Sequence, residues 1–245
     1  MNPGKRVQLH RALSKLGWGS RKQAWDWIRA GEVRVDGRVV TDPLTWVDIE
    51  GQQITRGGVE KGAVERLVLA LHKPRGIVTT RADERGRRTV YDLLPAGQPW
   101  IFPAGRLDAD SEGLLILTND ALLAERLTDP EHHVAKTYRV TVRGAAPDGA
   151  LERLRGGVTL DDGPTRPCGV ALVERAEAGT VVLMRLREGR NRQIRRMWDA
   201  VGHLVTRLER VAIGTFALGD LPEGQVRPLA PAEVGRLTAE PGALS

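Results

Sequence analysis

The stretch "AGRLDADSEGLLILTND", residues 104–120, joins an acidic loop to an apolar run. Its second half, "GLLILT", is continuously apolar, which predicts a short strand buried on both faces of a sheet. Immediately before this run stand one arginine and three acids, which are Arg106, Asp108, Asp110 and Glu112. Either these side chains form a solvated turn, or one carboxylate is held at the end of a core strand to carry out chemistry.

The sequence around this strand predicts an α+β domain with a mixed, largely antiparallel sheet. Strand patterns and helix patterns follow one another without the regular alternation that is typical of a parallel α/β fold. Alternating or apolar runs predict strands in "KTYRVTVRG" at 136–144 and in "GTVVLMRLREG" at 179–189. Apolar residues at helical spacing predict a helix in "NRQIRRMWDAVG" at 191–202.

Residues from about 6 to 50 show a separate pattern of two helices followed by a hairpin. Ser20 has Gln23 three residues later, which is a capping-box arrangement for a helix through Ala30. Gly31 suits the left-handed position after that helix. Two short alternating strands then flank Asp36–Gly37, which is a strong hairpin signal. Basic residues remain for the polar side of the helices: Arg11, Lys15, Arg21, Lys22 and Arg29.

A Gly-rich polar stretch, "GQQITRGGVEKGAVE" at 51–65, follows the hairpin and has no hydrophobic periodicity. It is predicted to be a linker that gives the first unit some freedom of placement. We therefore predict two domains. Residues 1–60 form a small domain with the start of the linker, and residues 61–245 form a larger one.

The charge of the chain favours a polyanionic partner. Its 245 residues carry 37 Lys and Arg against 31 Asp and Glu, a formal net charge of +6. Such a balance points to nucleic acid first. The charge is also clustered, because five arginines lie between Arg187 and Arg196 against the single acid Glu188. A solvated surface alone does not explain that density.

Other features of the sequence argue against several classes of protein. No apolar run approaches the roughly 20 residues that span a bilayer, and the first residues lack the apolar core of a signal peptide. The single cysteine, Cys168, has no intramolecular disulfide partner, and no Cys/His pairing has zinc spacing. We therefore expect a cytoplasmic protein with no membrane segment and no metal.

The segment "GSRKQAWDWIRAGEVRVDGRVV", Gly19–Val40, resembles the S4 RNA-binding domain. The match is specific because the Gly-Ser-Arg start and the hairpin around Asp-Gly occur together. The resemblance implies a docking module for folded RNA, which contacts phosphates and performs no chemistry. The alternative is a small helical module without a nucleic-acid role.

Three separated segments carry residues that suit chemistry on RNA, namely "GRLDADSEGLL", "KTYRV" and "EGRNRQIRRM". An arginine-dense junction between a strand and a helix can bind phosphates, and a carboxylate among arginines stays ionised. A tyrosine near that carboxylate offers a flat ring on which a base can stack. Together these groups describe an enzyme that acts on a base displaced from folded RNA.

In combination the segments resemble the S4-containing ribosomal RNA pseudouridine synthases, which modify single uridines of bacterial rRNA. The resemblance covers nearly the whole chain: the S4 unit and residues 72–80, 105–120, 136–142 and 188–203. It implies an S4 domain followed by a pseudouridine synthase catalytic domain. It also implies isomerisation of uridine to pseudouridine without a cofactor, since substrate and product contain the same atoms.

The resemblance assigns four residues to the active site. Asp108 is the essential aspartate, which acts on C1′ of a flipped-out uridine either covalently or through a glycal route. Tyr138 is the tyrosine that stacks on the base, and Ile194 packs against its ring. Arg195 is the basic partner that orients Asp108 and keeps it ionised.

The remaining basic residues of the motifs are predicted to contact RNA. Arg106 matches the arginine that relatives insert where the flipped base has left the stack. Lys73 either contacts RNA or is a structural turn residue. The full set of predicted RNA contacts is Arg106, Arg190, Arg192, Arg196, Arg21, Lys22 and Lys73. Asp110 and Glu112 are interpreted as ordinary loop acids.

The expected partner is a structured stem-loop of ribosomal RNA, bound by a monomer. Large-subunit 23S rRNA is favoured because "DSEGLLILTN" and "GVTLDDGPTRP" are closest to large-subunit members. Small-subunit 16S rRNA is the alternative, since "EHHVAKTY" suits small-subunit members equally well. The competing function is a non-catalytic rRNA-binding assembly factor, which would not require Asp108, Tyr138 and Arg195 together.

Overall fold

The described part of the chain, residues 6–60 and 65–244 of a computed structural model, begins with short strands around two helices. These elements are β1 (Arg6–Gln8), α1 (Leu9–Lys15), α2 (Arg21–Arg29), β2 (Val33–Val35), β3 (Arg38–Val39), β4 (Trp46–Asp48), β5 (Ile54–Arg56) and β6 (Val59–Glu60). In this part of the chain β1 pairs with β4, and β3, β2, β5 and β6 form a sheet in that order.

Local interactions set the limits of α2 and of the hairpin, as the sequence predicts. Ser20 Oγ accepts a hydrogen bond from the Gln23 amide at 3.0 Å, and Gln23 Oε1 accepts one from the Ser20 amide at 2.9 Å. Gly31 follows the helix with φ +73°. Asp36 and Gly37 turn the hairpin with φ of 50° and 77°, a conformation that Asp and Gly tolerate.

The prediction of a linker from Gly51 onward is wrong for residues 54–60. β5 pairs with β2 on the side opposite β3, and β6 pairs with β5. Ile54 is fully buried in a cluster with Leu9, Val33 and Val47, so its apolar side chain anchors the strand. A three-residue strand is too short to show periodicity in a Gly-rich stretch. Residues 61–64 of the predicted linker lie outside the described residues.

The larger sheet and its helices follow from Val68 onward. The strands are β7 (Val68–Lys73), β8 (Phe102–Pro103), β9 (Glu112–Thr118), β10 (Lys136–Arg143), β11 (Thr159–Leu160), β12 (Gly163–Pro164), β13 (Gly169–Ala176), β14 (Gly179–Leu186), β15 (Val205–Ile213), β16 (Phe216–Ala217) and β17 (Val226–Pro228). The helices are α3 (Ala121–Thr128), α4 (Asp148–Gly156), α5 (Gln193–Ala200) and α6 (Pro231–Arg236), with 3-10 turns at Val90–Leu93 and Pro130–His132.

The main sheet of the described residues is mixed, as predicted, and has nine strands. Its order is β13-β14-β10-β15-β9-β7-β17, with β16 paired to β15 and β8 paired to β9. β9 and β15 are parallel, whereas the pairings of β10 with β14 and with β15 are antiparallel. β9 is buried along its whole length, which confirms the strand predicted from "GLLILT".

One face of β10 connects the core to the site. Successive side chains on a strand point to opposite faces, so Lys136, Tyr138, Val140 and Val142 share one face. Val140 and Val142 are fully buried in a cluster with apolar residues of α4 and α5, and Tyr138 packs against that cluster. Lys136 and Tyr138 therefore lie toward one end of the face that these helices cover.

The chain divides into two compact units. The first contains the described residues up to Val68 together with Pro95–Phe102 and Leu117–Ala124. The second contains Leu69–Leu94, Pro103–Ile116 and the chain from Glu125 onward. The domain boundary between residues 60 and 61 stays a prediction. None of the helices described is long and apolar enough to cross a membrane.

Candidate active site

A cavity of about 460 Å³ lies within the second unit, among β10, the end of β14, the start of α5, β15 and the loop before β9. Six of the predicted site residues line it: Arg106, Asp108, Tyr138, Arg190, Arg192 and Ile194. The structure thus brings the three sequence segments together around one space. Lys73, Arg195 and Arg196 are not among its described lining residues.

Lys73 holds the loop that carries Asp108. The side chain is fully buried, and Nζ donates hydrogen bonds to the carbonyl oxygens of Ser111 at 2.7 Å, Pro74 at 2.9 Å and Asp108 at 3.1 Å. Three bonds are the full number that an ammonium group can donate. Lys73 therefore has no donor left for RNA, which favours its alternative as a structural residue over the predicted RNA contact. Burial lowers the pKa of Lys73 to about 8 against the opposing effect of nearby acids.

Hydrogen bonds from Thr79 and Gly76 to the main chain also hold the loop that carries Asp108. The hydroxyl of Thr79 donates to the Leu107 carbonyl oxygen at 2.8 Å and accepts from the Leu107 amide at 3.3 Å. The Gly76 amide donates to the Ala109 carbonyl oxygen at 2.6 Å. Hydrogen bonds to the core therefore hold the backbone on both sides of Asp108. They give this acidic turn a fixed conformation.

The carboxylate of Asp108 is only partly screened from solvent. Its side chain is 36% exposed, and its nearest cation is Arg192, whose Nη1 lies 3.9 Å from Oδ2. Among the residues described, no ion pair joins Asp108 to Arg195. The prediction that Arg195 pairs directly with Asp108 is therefore wrong.

Arg195 instead binds the loop at Asp110. Its Nη2 donates to the Asp110 carbonyl oxygen at 2.8 Å, Nε lies 3.3 Å from Asp110 Oδ2, and Nη1 donates to the Val205 carbonyl oxygen at 3.2 Å. Arg195 is only 9% exposed. Because it is buried against the loop backbone, its guanidinium satisfies main-chain acceptors there and does not reach the Asp108 carboxylate.

The interpretation of Asp110 and Glu112 as ordinary loop acids is wrong. Arg192 binds Asp110 through two parallel hydrogen bonds of 3.0 and 2.9 Å. Burial alone raises the pKa of Asp110, but the hydrogen bonds from Arg192 and the charge of Arg195 outweigh it and hold this pKa below its ordinary value. Glu112 belongs to β9, is buried, and forms an ion pair with Arg207.

The backbone of Arg192 is unusual for its residue type. It precedes α5 with φ 48° and ψ 32°, in the left-handed region. Such strained positions of residues other than glycine tend to occur at functional sites. Here the conformation accompanies a side chain that forms ion pairs with both Asp110 and Asp108.

Tyr138 and Ile194 lie on the same wall of the cavity. Ile194 is buried at the start of α5, and the half-buried Tyr138 packs against the apolar cluster to which Ile194 belongs. The pairing of β10 with β15 shifts register between Thr137 and Tyr138. Such an irregularity can redirect a side chain at the edge of a site.

Arg190 and Arg196, like Arg192, have partners within the protein. Arg190 donates to the carbonyl oxygens of Gly163 at 2.9 Å and Pro164 at 2.5 Å, and Arg196 donates to the Asp162 carboxylate at 3.0 Å. These contacts attach the start of α5 to the β11–β12 turn. Their proposed role toward RNA stays a prediction.

Arg106, Arg21 and Lys22 are exposed, as RNA contacts require. Arg106 lines the cavity, and no hydrogen bond or ion pair is formed by its guanidinium with any residue in 6–60 or 65–244. Arg21 and Lys22 begin α2, directly after the Ser20 cap. Exposure is compatible with their predicted role and does not test it.

Sequence reasoning missed two cations of the cavity, Lys136 and Arg210. Lys136 stands two positions before Tyr138 on one strand, so the period of two placed it on the same face. Arg210 carried no signal, because sequence does not reveal that an arginine in an alternating strand is only 4% exposed. Arg210 lies opposite Tyr138 in the register of β10 and β15.

The single cysteine, predicted to be a core residue, is partly buried at the edge of the core. Cys168 packs against the same apolar cluster as Tyr138, and its thiol donates to the Leu154 carbonyl oxygen at 3.2 Å. Burial, with a smaller effect of the Glu188 charge, raises the pKa of this thiol to about 11. In the described ranges no group of three or more His, Cys, Asp or Glu side chains is placed to hold a metal ion.

Comparison with known families gives two matches along the chain. Residues 67–200 match the family described as RNA pseudouridylate synthase, and residues 7–54 match the S4 domain. An uncharacterized RNA pseudouridine synthase of Mycobacterium leprae is 43% identical over 240 residues, which is 96% of this chain and 94% of that protein. Ribosomal large subunit pseudouridine synthase B of Bacillus subtilis is 37% identical over 235 residues, 95% of this chain and 96% of that protein.

Comparison with solved structures agrees with these matches. A crystal structure of a pseudouridylate synthase superimposes with a TM-score of 0.70 at 29% sequence identity. The superposition covers 94% of this chain and 99% of that one. The similarity therefore extends over both compact units and is not confined to the large sheet.

Proposed function

This chain belongs to the RNA pseudouridylate synthase family, and from that premise we propose that it isomerises one uridine of large-subunit ribosomal RNA to pseudouridine. The observation that carries the proposal is the cavity that both Asp108 and Tyr138 line. Its volume of about 460 Å³ lies within the usual range of ligand pockets. Exposed Arg106 stands in the same lining, where an RNA strand would approach.

The reaction breaks the N1–C1′ bond of uridine, rotates the uracil and joins C5 to C1′. A uridine within a helix cannot present C1′ to the protein, so the nucleotide is flipped out, at a cost of a few kcal/mol. We assign Tyr138 to stacking on the flipped base and Arg106 to the space that the base leaves in the RNA. These contacts offset part of the cost of flipping.

Asp108 acts at the sugar in this proposal. Its carboxylate either attacks C1′ and forms a covalent intermediate, or removes the C2′ proton and gives a glycal. Arg192 is the cation next to this carboxylate, with Nη1 3.9 Å from Oδ2. Arg195 is a positioning residue, because it holds the Asp110 main chain and side chain and is not among the described lining residues of the cavity.

The S4 match supports a docking role for the first unit. We propose that Arg21, Lys22 and residues around them in the predicted 1–60 domain bind phosphates of a folded RNA. Arg190, Arg192 and Arg196 add phosphate contacts at the start of α5. Contacts of this kind position an RNA without reading its base sequence.

Replacement of both Arg21 and Lys22 by Gln is expected to weaken RNA binding by about tenfold and to reduce the slope of log affinity against log salt concentration by about two, because two phosphate contacts are lost. The single-turnover rate at saturating enzyme stays at the wild-type value. Filter binding across a salt series measures the first effect. The matched control replaces the exposed pair Arg139 and Arg143 by Gln and leaves affinity unchanged. Equal weakening by both pairs would contradict a specific docking role for α2.

The large-subunit target is supported by the similarity to large subunit pseudouridine synthase B of Bacillus subtilis. Primer extension after carbodiimide treatment, on RNA from cells with and without this gene, is expected to lose one stop in 23S rRNA. A lost stop in 16S rRNA instead would overturn the subunit assignment. A lost stop confined to transfer RNA would overturn the ribosomal substrate.

We further propose that the chain acts as a monomer in the cytoplasm, where ribosomal RNA is modified. The reaction conserves every atom of the substrate, so it needs no redox partner or group donor. A structured stem-loop is the preferred substrate, since phosphate contacts in the two units recognise an RNA fold. A short unstructured oligonucleotide with the same bases is expected to react poorly.

A further inference from the structure

Two cations without a carboxylate partner lie in the lining of the cavity, beside the residues assigned to the sugar and the base. Lys136 and Arg210 both line it. Arg210 Nε donates to the Leu114 carbonyl oxygen at 2.7 Å, but its buried Nη2 has no hydrogen-bond partner among the described residues. The ammonium of Lys136 likewise makes no hydrogen bond or ion pair within residues 6–60 and 65–244.

The position of Arg210 Nη2 is unfavourable for the free protein. Buried charges are normally paired, and a buried donor without an acceptor loses the free energy of its hydration. Burial and, to a smaller extent, the charge of Arg210 lower the pKa of Lys136 to about 8. By contrast, the buried Lys73 has three carbonyl acceptors. The buried Nη2 of Arg210 therefore lacks an acceptor, and the partly exposed ammonium of Lys136 is free to bind an acceptor that enters the cavity.

The position of the pair indicates which part of the nucleotide supplies that acceptor. Lys136 and Tyr138 point to the same face of β10, and Arg210 is the β15 residue in register with Tyr138. The lining beside them is apolar, with Leu186, Leu208 and Ile213. This environment suits a base edge, whereas phosphates suit the exposed arginines Arg106 and Arg192 of the same cavity.

We propose that Lys136 and Arg210 bind the carbonyl oxygens of the target uracil and stabilise the negative charge that it carries after N1–C1′ cleavage. The inference rests on the proposed reaction. In that step both electrons of the N1–C1′ bond leave with the uracil, whose charge spreads over N1 and the two ring oxygens. C1′ becomes bonded to Asp108, or the sugar gives its C2′ proton to Asp108 and forms the glycal.

The same two cations hold the detached ring while it turns. C5 then bonds to C1′, and Asp108 is released as the carboxylate or returns its proton to C2′. C5 loses its proton and N1 gains one, so the product has the composition of the substrate. Fixed positive charge directed at a developing anion stabilises it more than it stabilises the neutral uridine, and therefore accelerates the cleavage.

The test replaces Lys136 by Met in the full-length chain, which preserves the length of the apolar stem and removes the charge. Total RNA labelled with tritium at uracil C5, from cells that lack the gene, contains the target whichever RNA carries it. Tritium release is followed with enzyme in excess, so that the plateau rate and the half-saturating enzyme concentration are obtained separately. Activity of the wild-type chain on this RNA tests uridine isomerisation, and the comparison of variants tests the role of Lys136.

Lys136→Met is expected to lower the plateau rate by about 100-fold or more, the usual effect of removing one donor to a developing oxyanion. Its half-saturating concentration stays within about threefold of wild type, because the neutral uridine gains little from the charge. Lys136→Arg retains a cation and is expected to recover most of the plateau rate. Arg139→Met removes one charge from the opposite, exposed face of the same strand and changes neither quantity.

Two results would overturn the assignment. A wild-type plateau rate in Lys136→Met would show that the charge has no part in the chemical step. A raised half-saturating concentration with an unchanged plateau, together with a shallower salt dependence, would show that Lys136 binds a phosphate. Because the labelled RNA includes both ribosomal subunits, neither result depends on the large-subunit assignment.

Discussion

Asp108→Asn is expected to abolish uridine isomerisation, with a fall of at least about a thousandfold in the single-turnover rate. An amide has the shape of the carboxylate but neither attacks C1′ nor removes a proton from C2′. The affinity for RNA is expected to change little, since the phosphate contacts come from arginines and lysines elsewhere. Tritium release from RNA labelled at uracil C5 measures the rate, and filter binding measures the affinity.

Asp110→Asn provides the matched control two residues away in the same loop. Asp110 is paired with Arg192 and Arg195 and holds these side chains in place. Its amide variant is expected to lose about tenfold in rate. The loss arises because Arg192 and Arg195 are held less firmly, whereas the reactive carboxylate of Asp108 is still present. Wild-type tritium release by Asp108→Asn, or abolition by Asp110→Asn alone, would transfer the catalytic assignment away from Asp108.

Lys73→Met is expected to lower the plateau rate by about 100-fold although Lys73 lies outside the cavity lining, because the loop that carries Asp108 loses its buried anchor. The carbonyl oxygens of Pro74, Asp108 and Ser111 are left without their donor. Buried acceptors without partners destabilise a fold by about 1–3 kcal/mol. Urea denaturation measures the free energy of unfolding, and single-turnover tritium release measures the rate.

Arg139→Met is the control, since it removes an exposed cation that has no assigned role in RNA binding. It is expected to change neither stability nor plateau rate. A Lys73→Met chain with wild-type stability and wild-type rate would show that the three hydrogen bonds do not hold the loop. A weaker affinity with an unchanged rate would restore the RNA contact that the sequence suggested and that the buried position of Lys73 contradicts.

Several elements of the fold follow from residues that are close in sequence. The capping box of Ser20 and Gln23 and the turn at Asp36–Gly37 each depend on groups within about four positions, so residue type is sufficient to predict them. The strand β9 was predictable because a continuous apolar run of that length has to be buried. The resemblance to a family predicts that Asp108, Tyr138 and Ile194 share one site, and the structure places all three around one cavity. Their catalytic roles stay predictions.

Only the tertiary structure shows which oxygen atom each buried cation binds. Arg195 and Asp110 are 85 positions apart in the chain, and Lys73 and Asp108 are 35 apart. The register of the sheet brings these groups together, and a cation removed from water takes whatever acceptor lies within reach. For both Lys73 and Arg195 those acceptors include main-chain carbonyl oxygens. Every residue has a main-chain carbonyl, so the identity of the accepting residue does not indicate the contact in the sequence.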